Sequence, residues 1–229
     1  MELSFQHPRS GEWAHDCRDP LREARFTYIA PIMESWPLAT ANQVRMLEVG
    51  FGRGLNTAMA SCMLTEAGFV GEVLAYGCEP NPQFVQPWPQ LPAELEAYAP
   101  WWGYAIDDLP MTAETLATPV TRGLKNSQAS LHLYPLSAAE TFPLLDANSI
   151  DWIFLDLFSP AKHADDWQPE LWPGLAKVAA PGAILTSYTC ARRVRDGLEQ
   201  SGWQCEVLRR PNYRDTLRAR FLAADARKP

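Results

Sequence analysis

The chain has 229 residues, 47% of them hydrophobic and 21% charged, with a formal net charge of −7, the profile of a globular protein with one good core and a small appendage. No apolar run approaches the ~20 residues of a membrane span, and Met1-Glu2-Leu3-Ser4 opens no basic-then-apolar leader. The acidic balance weighs against a nucleic-acid surface, but from Cys190 onward ten Lys and Arg face five Asp and Glu, an edge suited to phosphate or to a plain solvated helix face.

Residues 1–40, with Trp13, Phe26, Tyr28, Trp36 and several prolines, read as an N-terminal cap on one compact unit, 41–229. Val44–Val49 predicts a first strand and Asn56–Ala67 a helix; Val73–Cys78 predicts a second strand ending at Glu79-Pro80. Pro82–Pro110 is rich in Pro and Trp, with a helix expected around Ala93–Tyr98. Asp107–Ser130 lacks periodicity and reads as a long loop, so an insertion spans about 82–130. Leu131–Tyr134 is a short strand, and Ser137-Ala-Ala-Glu140 is a capping box that opens a helix. Ile150–Leu155 is a continuous apolar run, as in a parallel strand covered on both faces. A helix at Pro169–Ala180, a turn at Pro181-Gly182 and a buried strand at Ala183–Tyr188 follow. Then come a helix at Cys190–Ser201 and strands at Trp203–Leu208 and Thr216–Ala223. Alternating strands and helices predict an α/β fold with a doubly wound, mostly parallel sheet. The short loop between the last two strands makes that pair antiparallel.

Five scattered cysteines without Cys-x-x-Cys indicate reduced thiols and a cytoplasmic protein. His7, His15, His132 and His163 are too dispersed for a metal cluster, and His15 with Cys17 supplies only two ligands, so no metal is expected.

Ligands in such sheets lie beyond the carboxyl ends of the strands, and three of those ends carry acids: Glu48, Glu79 and Asp156. After Glu48 come Gly50, Gly52 and Gly54, spaced two apart and running into a helix. Glycines there let the backbone turn sharply and approach a ligand, at which the helix points its N-terminal amides. The spacing differs from the dinucleotide fingerprint. Glu79 is placed to accept both ribose hydroxyls of a nucleoside, or to be a helix-start acid. Glu48 either orients the loop or meets an ammonium group on the ligand. Asp156 is delivered to the sheet edge before a Pro-containing aromatic loop; it either faces the second substrate or caps the loop.

These stretches resemble the tRNA 5-methylaminomethyl-2-thiouridine methyltransferase family, the methyltransferase half of a bifunctional enzyme and its stand-alone relatives. The family's Glu-x-Gly-Phe-Gly-Thr/Arg-Gly-Leu-Asn is matched at Glu48–Asn56. Its acid after the second strand is matched by Glu79. Its Phe-Leu-Asp-Gly-Phe-Ala-Pro-Ala-Lys before a tryptophan is matched at Phe154–Lys162 and Trp167. Ser187–Cys190, Val194-Arg195 and Glu23–Phe26 are similar to further family segments. The resemblance implies a seven-stranded sheet with an antiparallel last strand, S-adenosyl-L-methionine as cofactor, and N-methyl transfer to the 5-aminomethyl group of wobble 2-thiouridine in tRNA. It implies cofactor contacts from Glu48, Gly50, Phe51, Gly52, Gly54, Asn56, Glu79, Ser137 and Asp156. Asp156 would hold and orient the acceptor amine; Phe158, Trp167 and Tyr188 would stack on a planar acceptor; Lys162, Arg195 and Arg214 would meet the RNA.

The chain departs from the family at three places. Leu157 stands where the family has glycine, and Ser137 where it has an aspartate for the adenine amino group. Pro211–Asp215 replaces a Gly-x-Gly-x-Lys-Arg stretch, keeping only Arg214. A same-fold methyltransferase for a small molecule or another macromolecule, and a non-catalytic binding domain, are the alternatives.

Overall fold

The computed structural model describes residues 4–81, 83–85, 120–123, 129–211 and 213–222. The helix expected around Ala93–Tyr98 lies outside them, as does most of the 82–130 insertion.

The strands are β1 (Gln43–Val49), β2 (Glu72–Cys78), β3 (Val120–Gly123), β4 (Ala129–Tyr134), β5 (Ile150–Leu155), β6 (Ala179–Ser187), β7 (Trp203–Leu208) and β8 (Thr216–Phe221). They form one sheet in the order β3-β4-β2-β1-β5-β6-β8-β7. The five strands β4, β2, β1, β5 and β6 are parallel, and β8 runs antiparallel to both β6 and β7. All seven strands of the expected sheet are present. An eighth, β3, falls in the stretch read as a loop and pairs antiparallel with the edge strand β4. Four residues are too few to show a period of two.

The expected turn at Pro181-Gly182 lies instead within β6. Its pairing with β5 jumps between Ile150↔Ala179 and Trp152↔Ile184, so the strand absorbs the proline as an irregularity. Gly182 sits there at φ +82°.

Period-two alternation sends the sheet's side chains into two cores. Met46, Trp152 and Phe154 pack on one face with Leu55 and Met59 of α2 (Leu55–Glu66). Leu47, Val49, Ile153 and Leu155 pack on the other with Leu175 of α4 (Leu171–Val178) and Val194 of α5 (Arg192–Gln200). The short α3 (Ala138–Thr141) opens on the expected capping box.

The N-terminal segment is built into the first core. The helical stretch α1 consists of Pro20–Glu23, a π-helical Ala24–Ile29 and Ala30–Met33. Asp19 caps its start by accepting from Arg22 N at 3.0 Å. Tyr28, Ile29 and Ile32 are buried in the core cluster of α2 and β5, and Thr186 Oγ1 donates to Tyr28 O at 3.0 Å.

Strand β1 lies between β2 and β5, so the chain winds outward from it in both directions. The turn after β1 and the loop after β5 therefore meet at the topological switch point.

Candidate active site

Gly50, Gly52 and Gly54 have φ of +83°, +50° and +72°, the left-handed region that glycine enters without penalty. Gly50 N and Phe51 N donate to Cys78 O at 3.1 and 3.0 Å, which ties the turn to the end of β2. A Cβ at Gly50 would lie 2.6 Å from Asp156 O, so the turn touches the backbone that follows β5. Gly54 is the N-cap of α2.

A cavity of about 1660 Å³ opens beyond these strand ends. Gly50, Phe51, Gly52, Glu79 and Asp156 line it, and the Phe51 ring is buried against Gly77. Glu79 accepts from Gly52 N at 3.1 Å and from Asn81 N at 2.9 Å. Burial pushes its carboxyl up to about 7, against the pull of those two amides. On the acceptor side Phe158, Lys162, Tyr188 and Arg214 line the same cavity.

Glu48 does not line it. The carboxylate is fully buried under the start of α2, where it accepts from Thr57 N at 3.0 Å, Thr57 Oγ1 at 2.6 Å and Asn56 Nδ2 at 2.9 Å. Of the two roles the sequence left open, this geometry is that of a loop brace. Asn56 also stands behind the wall and donates to Asp156 Oδ2 at 2.8 Å.

Ser137 is not among the residues that line the cavity. Its hydroxyl donates to Glu140 Oε2 at 2.6 Å in the capping box. Trp167 is buried and its Nε1 donates to Phe158 O at 2.8 Å; it holds the loop from behind and offers no free face. Arg195 lies on α5 with its carbonyl taking Cys205 Sγ at 3.8 Å, away from the cavity. Tyr188 does both jobs: its hydroxyl donates to Leu157 O at 3.0 Å while the ring lines the cavity under the Arg214 guanidinium, 5.3 Å from the centroid.

The Asp156 side chain is 5% exposed. The Tyr28 hydroxyl donates to Oδ1 and Asn56 to Oδ2. Burial pushes its carboxyl up to about 6, while His15, Tyr28 and Asn56 pull the other way. Its loop is fastened by Glu12, which accepts from Ser159 N and Ser159 Oγ at 2.8 Å each.

Sequence reasoning missed Tyr28, Glu12, Glu23 and His15. All come from residues 1–40; Tyr28, Glu12 and His15 reach the loop after β5 across more than a hundred residues, and Glu23 meets His15 and Arg214. The one local signal was the resemblance at Glu23–Phe26, since His15 was weighed only as a metal partner of Cys17.

This donor set fits S-adenosyl-L-methionine. A buried carboxylate after β2 suits a ribose, and a turn without side chains suits a close backbone approach.

Comparison with known proteins agrees. A family described as S-adenosyl-L-methionine-dependent methyltransferase matches residues 99–220. The tRNA 5-methylaminomethyl-2-thiouridine biosynthesis bifunctional protein MnmC of Chromohalobacter salexigens is 32% identical over 164 residues, 68% of this chain and 22% of that protein. Its namesake from Azoarcus sp. strain BH72 is 31% identical over 219 residues, 93% of this chain and 33% of that protein. The chain thus spans a third or less of these relatives' length. The crystal structure of MnmC2 from Aquifex aeolicus shares the fold at a TM-score of 0.77 and 21% identity, over 96% of this chain and 67% of that one. With the fold, the glycine turn and the family match in agreement, this chain belongs to the S-adenosyl-L-methionine-dependent methyltransferases and uses that cofactor.

Proposed function

We propose that this protein transfers a methyl group to the nitrogen of the 5-aminomethyl group on wobble 2-thiouridine in tRNA. The observation that carries the reading is Asp156: a nearly buried carboxylate, fixed on both oxygens, facing the cavity beside the glycine turn. The relatives' names, which concern tRNA 5-methylaminomethyl-2-thiouridine, support an amine as the acceptor. Bound S-adenosyl-L-methionine supplies an activated methyl group that leaves sulfur as the S–C bond breaks and the amine lone pair forms the N–C bond.

The protein's part is alignment and proton control. Glu79 takes the ribose hydroxyls, and the turn at Gly50–Gly54 admits the cofactor. Asp156 accepts a hydrogen bond from the amine and aims its nitrogen. Phe158 and Tyr188 flank a planar base, and exposed Lys162 at the rim meets phosphate. A tRNA acceptor puts the protein in the cytoplasm; among the described residues no helix is long and apolar enough to cross a membrane.

The test is transfer of labelled methyl from S-adenosyl-L-methionine to bulk tRNA of a strain lacking the enzyme. The expected result is label on the wobble nucleoside. Label in a small-molecule extract and none on tRNA would overturn the assignment.

A further inference from the structure

His15 is a titratable group at the cavity with no role in the reaction described so far. It lines the cavity, its side chain is 9% exposed, and Nδ1 is buried without a hydrogen-bond partner. That nitrogen lies 3.7 Å from Asp156 Oδ2 and 3.7 Å from Glu23 Oε2, beyond a hydrogen bond but within ion-pair reach of both. Glu23 also takes the half-exposed Arg214 Nη1 at 2.5 Å and Asp16 N at 2.5 Å. Tyr28 and Tyr188 face the same group as neutral phenols held up by burial. Glu48, behind Asn56, has its own donors in Thr57.

The charges decide what this arrangement does. Asp156, Glu23 and Arg214 leave one negative charge uncompensated, and a nearly buried cluster is costly until one more cation completes it. In the free protein His15 is that cation. Burial alone would lower the ring's pKa; Asp156, Glu23 and Glu48 carry it to about 9. An aliphatic amine acceptor, with a pKa of about 10.4 for a lysine-like group, also arrives as a cation. Two cations at one carboxylate overfill the cluster.

We propose that His15 exchanges protons with the acceptor amine through Asp156. The imidazolium of the free protein releases its proton to solvent as the ammonium enters. The bound ammonium then passes one N–H proton to Asp156 Oδ2, and Oδ2 passes it to His15 Nδ1 as the ring closes the 3.7 Å gap to hydrogen-bond distance. The amine nitrogen keeps the electron pair that forms the new N–C bond, and the cluster's charge is unchanged. His15 is thus a positioning residue that holds the proton without touching the acceptor. The inference rests on the amine reading given above.

Two measurements test it. In protein labelled with ¹⁵N-histidine, the ring absent from a His15→Gln spectrum is assigned to His15. It is expected to carry protons on both nitrogens at pH 7.5 in the wild type and on one in Asp156→Asn. A singly protonated ring in the wild type overturns the inference, and this readout needs no acceptor. With tRNA, His15→Gln is expected to keep its affinity for S-adenosylhomocysteine within about twofold. It should lose on the order of 10²-fold in kcat at pH 7 and regain rate as the pH climbs toward the amine's own pKa. Added imidazole should restore His15→Gly. A His15→Gln pH profile parallel to the wild type overturns the inference, and so does failure of imidazole to rescue. A doubly protonated ring in a wild-type protein that labels no tRNA overturns the acceptor reading and leaves the proton placement standing.

Discussion

Glu48 and Asp156 are joined through one donor: Asn56 Nδ2 lies 2.9 Å from Glu48 Oε1 and 2.8 Å from Asp156 Oδ2. The amide nitrogen carries two hydrogens, one for each acceptor. The brace under α2 and the acceptor-side acid are thus a single unit.

Asn56→Asp would put a third carboxylate between the other two. We expect it to lose at least about 2 kcal/mol of stability at pH 8, the scale of a buried polar group left without its partner. The loss should shrink toward pH 5, where the cluster takes up protons. Urea midpoints at the two pH values check this; an equal loss at both would show that charge is not the cause.

Burial places Glu48 and Glu79 at about 7 and Asp156 at about 6, each above its usual value of 4.5 or 3.8. A group raised on folding adds stability below its unfolded pKa and loses it as the pH passes its folded one. These three therefore destabilise the cofactor-free protein progressively from about pH 4 to 7. His15, raised from 6.5 to about 9, continues the decline. Glu23 acts oppositely at the acid end: burial pushes it up, but His15 and Arg214 more than reverse that and hold it low. The melting temperature is expected to be highest near pH 4 and to fall toward pH 9. Glu48→Gln should flatten the fall between pH 4.5 and 7, and a rise over that range in the wild type would contradict the pKa shifts.

Gly50→Ala combines φ +83° with a Cβ 2.6 Å from Asp156 O. The strained backbone is expected to cost about 1–3 kcal/mol. The displaced loop should weaken S-adenosyl-L-methionine binding by at least about tenfold, measured by calorimetry. Unchanged affinity would place the cofactor elsewhere.

Glu79→Gln and Asp156→Asn should separate the two substrates. The first is expected to weaken S-adenosyl-L-methionine and S-adenosylhomocysteine alike by roughly 10- to 100-fold, the worth of hydrogen bonds to a charged acceptor. The second should leave both affinities within a few-fold and lower turnover. Equal loss of affinity and turnover in Asp156→Asn would remove it from the acceptor side.

The parts of the site legible in sequence are local ones. Gly50–Gly54, Glu79 and Asp156 each stand where an apolar run stops, so strand and acid are read together. Trp167 and Tyr188 were read as stacking rings because an aromatic residue looks the same in a core and in a pocket. Their polar tips, on Phe158 O and Leu157 O, are visible only in three dimensions. Ser137 carried two readings at once, and its geometry follows the four-residue pattern with Glu140. Tyr28 sits in a π-helical turn between Pro20 and Pro31, where no 3.6-residue stripe marks which side chains turn inward.

The bond from Tyr28 to Asp156 closes a span of 128 residues, and that from Ser159 to Glu12 one of 147. Contacts so distant along the chain repay their loop-closure entropy only when the intervening sheet is already in place. The segment that precedes the sheet in the chain thus supplies the last wall of the pocket. A partly folded chain can display its glycine turn, but it has no anchored acid to set against it. Turnover is in this sense a readout of complete folding, and it is expected to vanish before the sheet does.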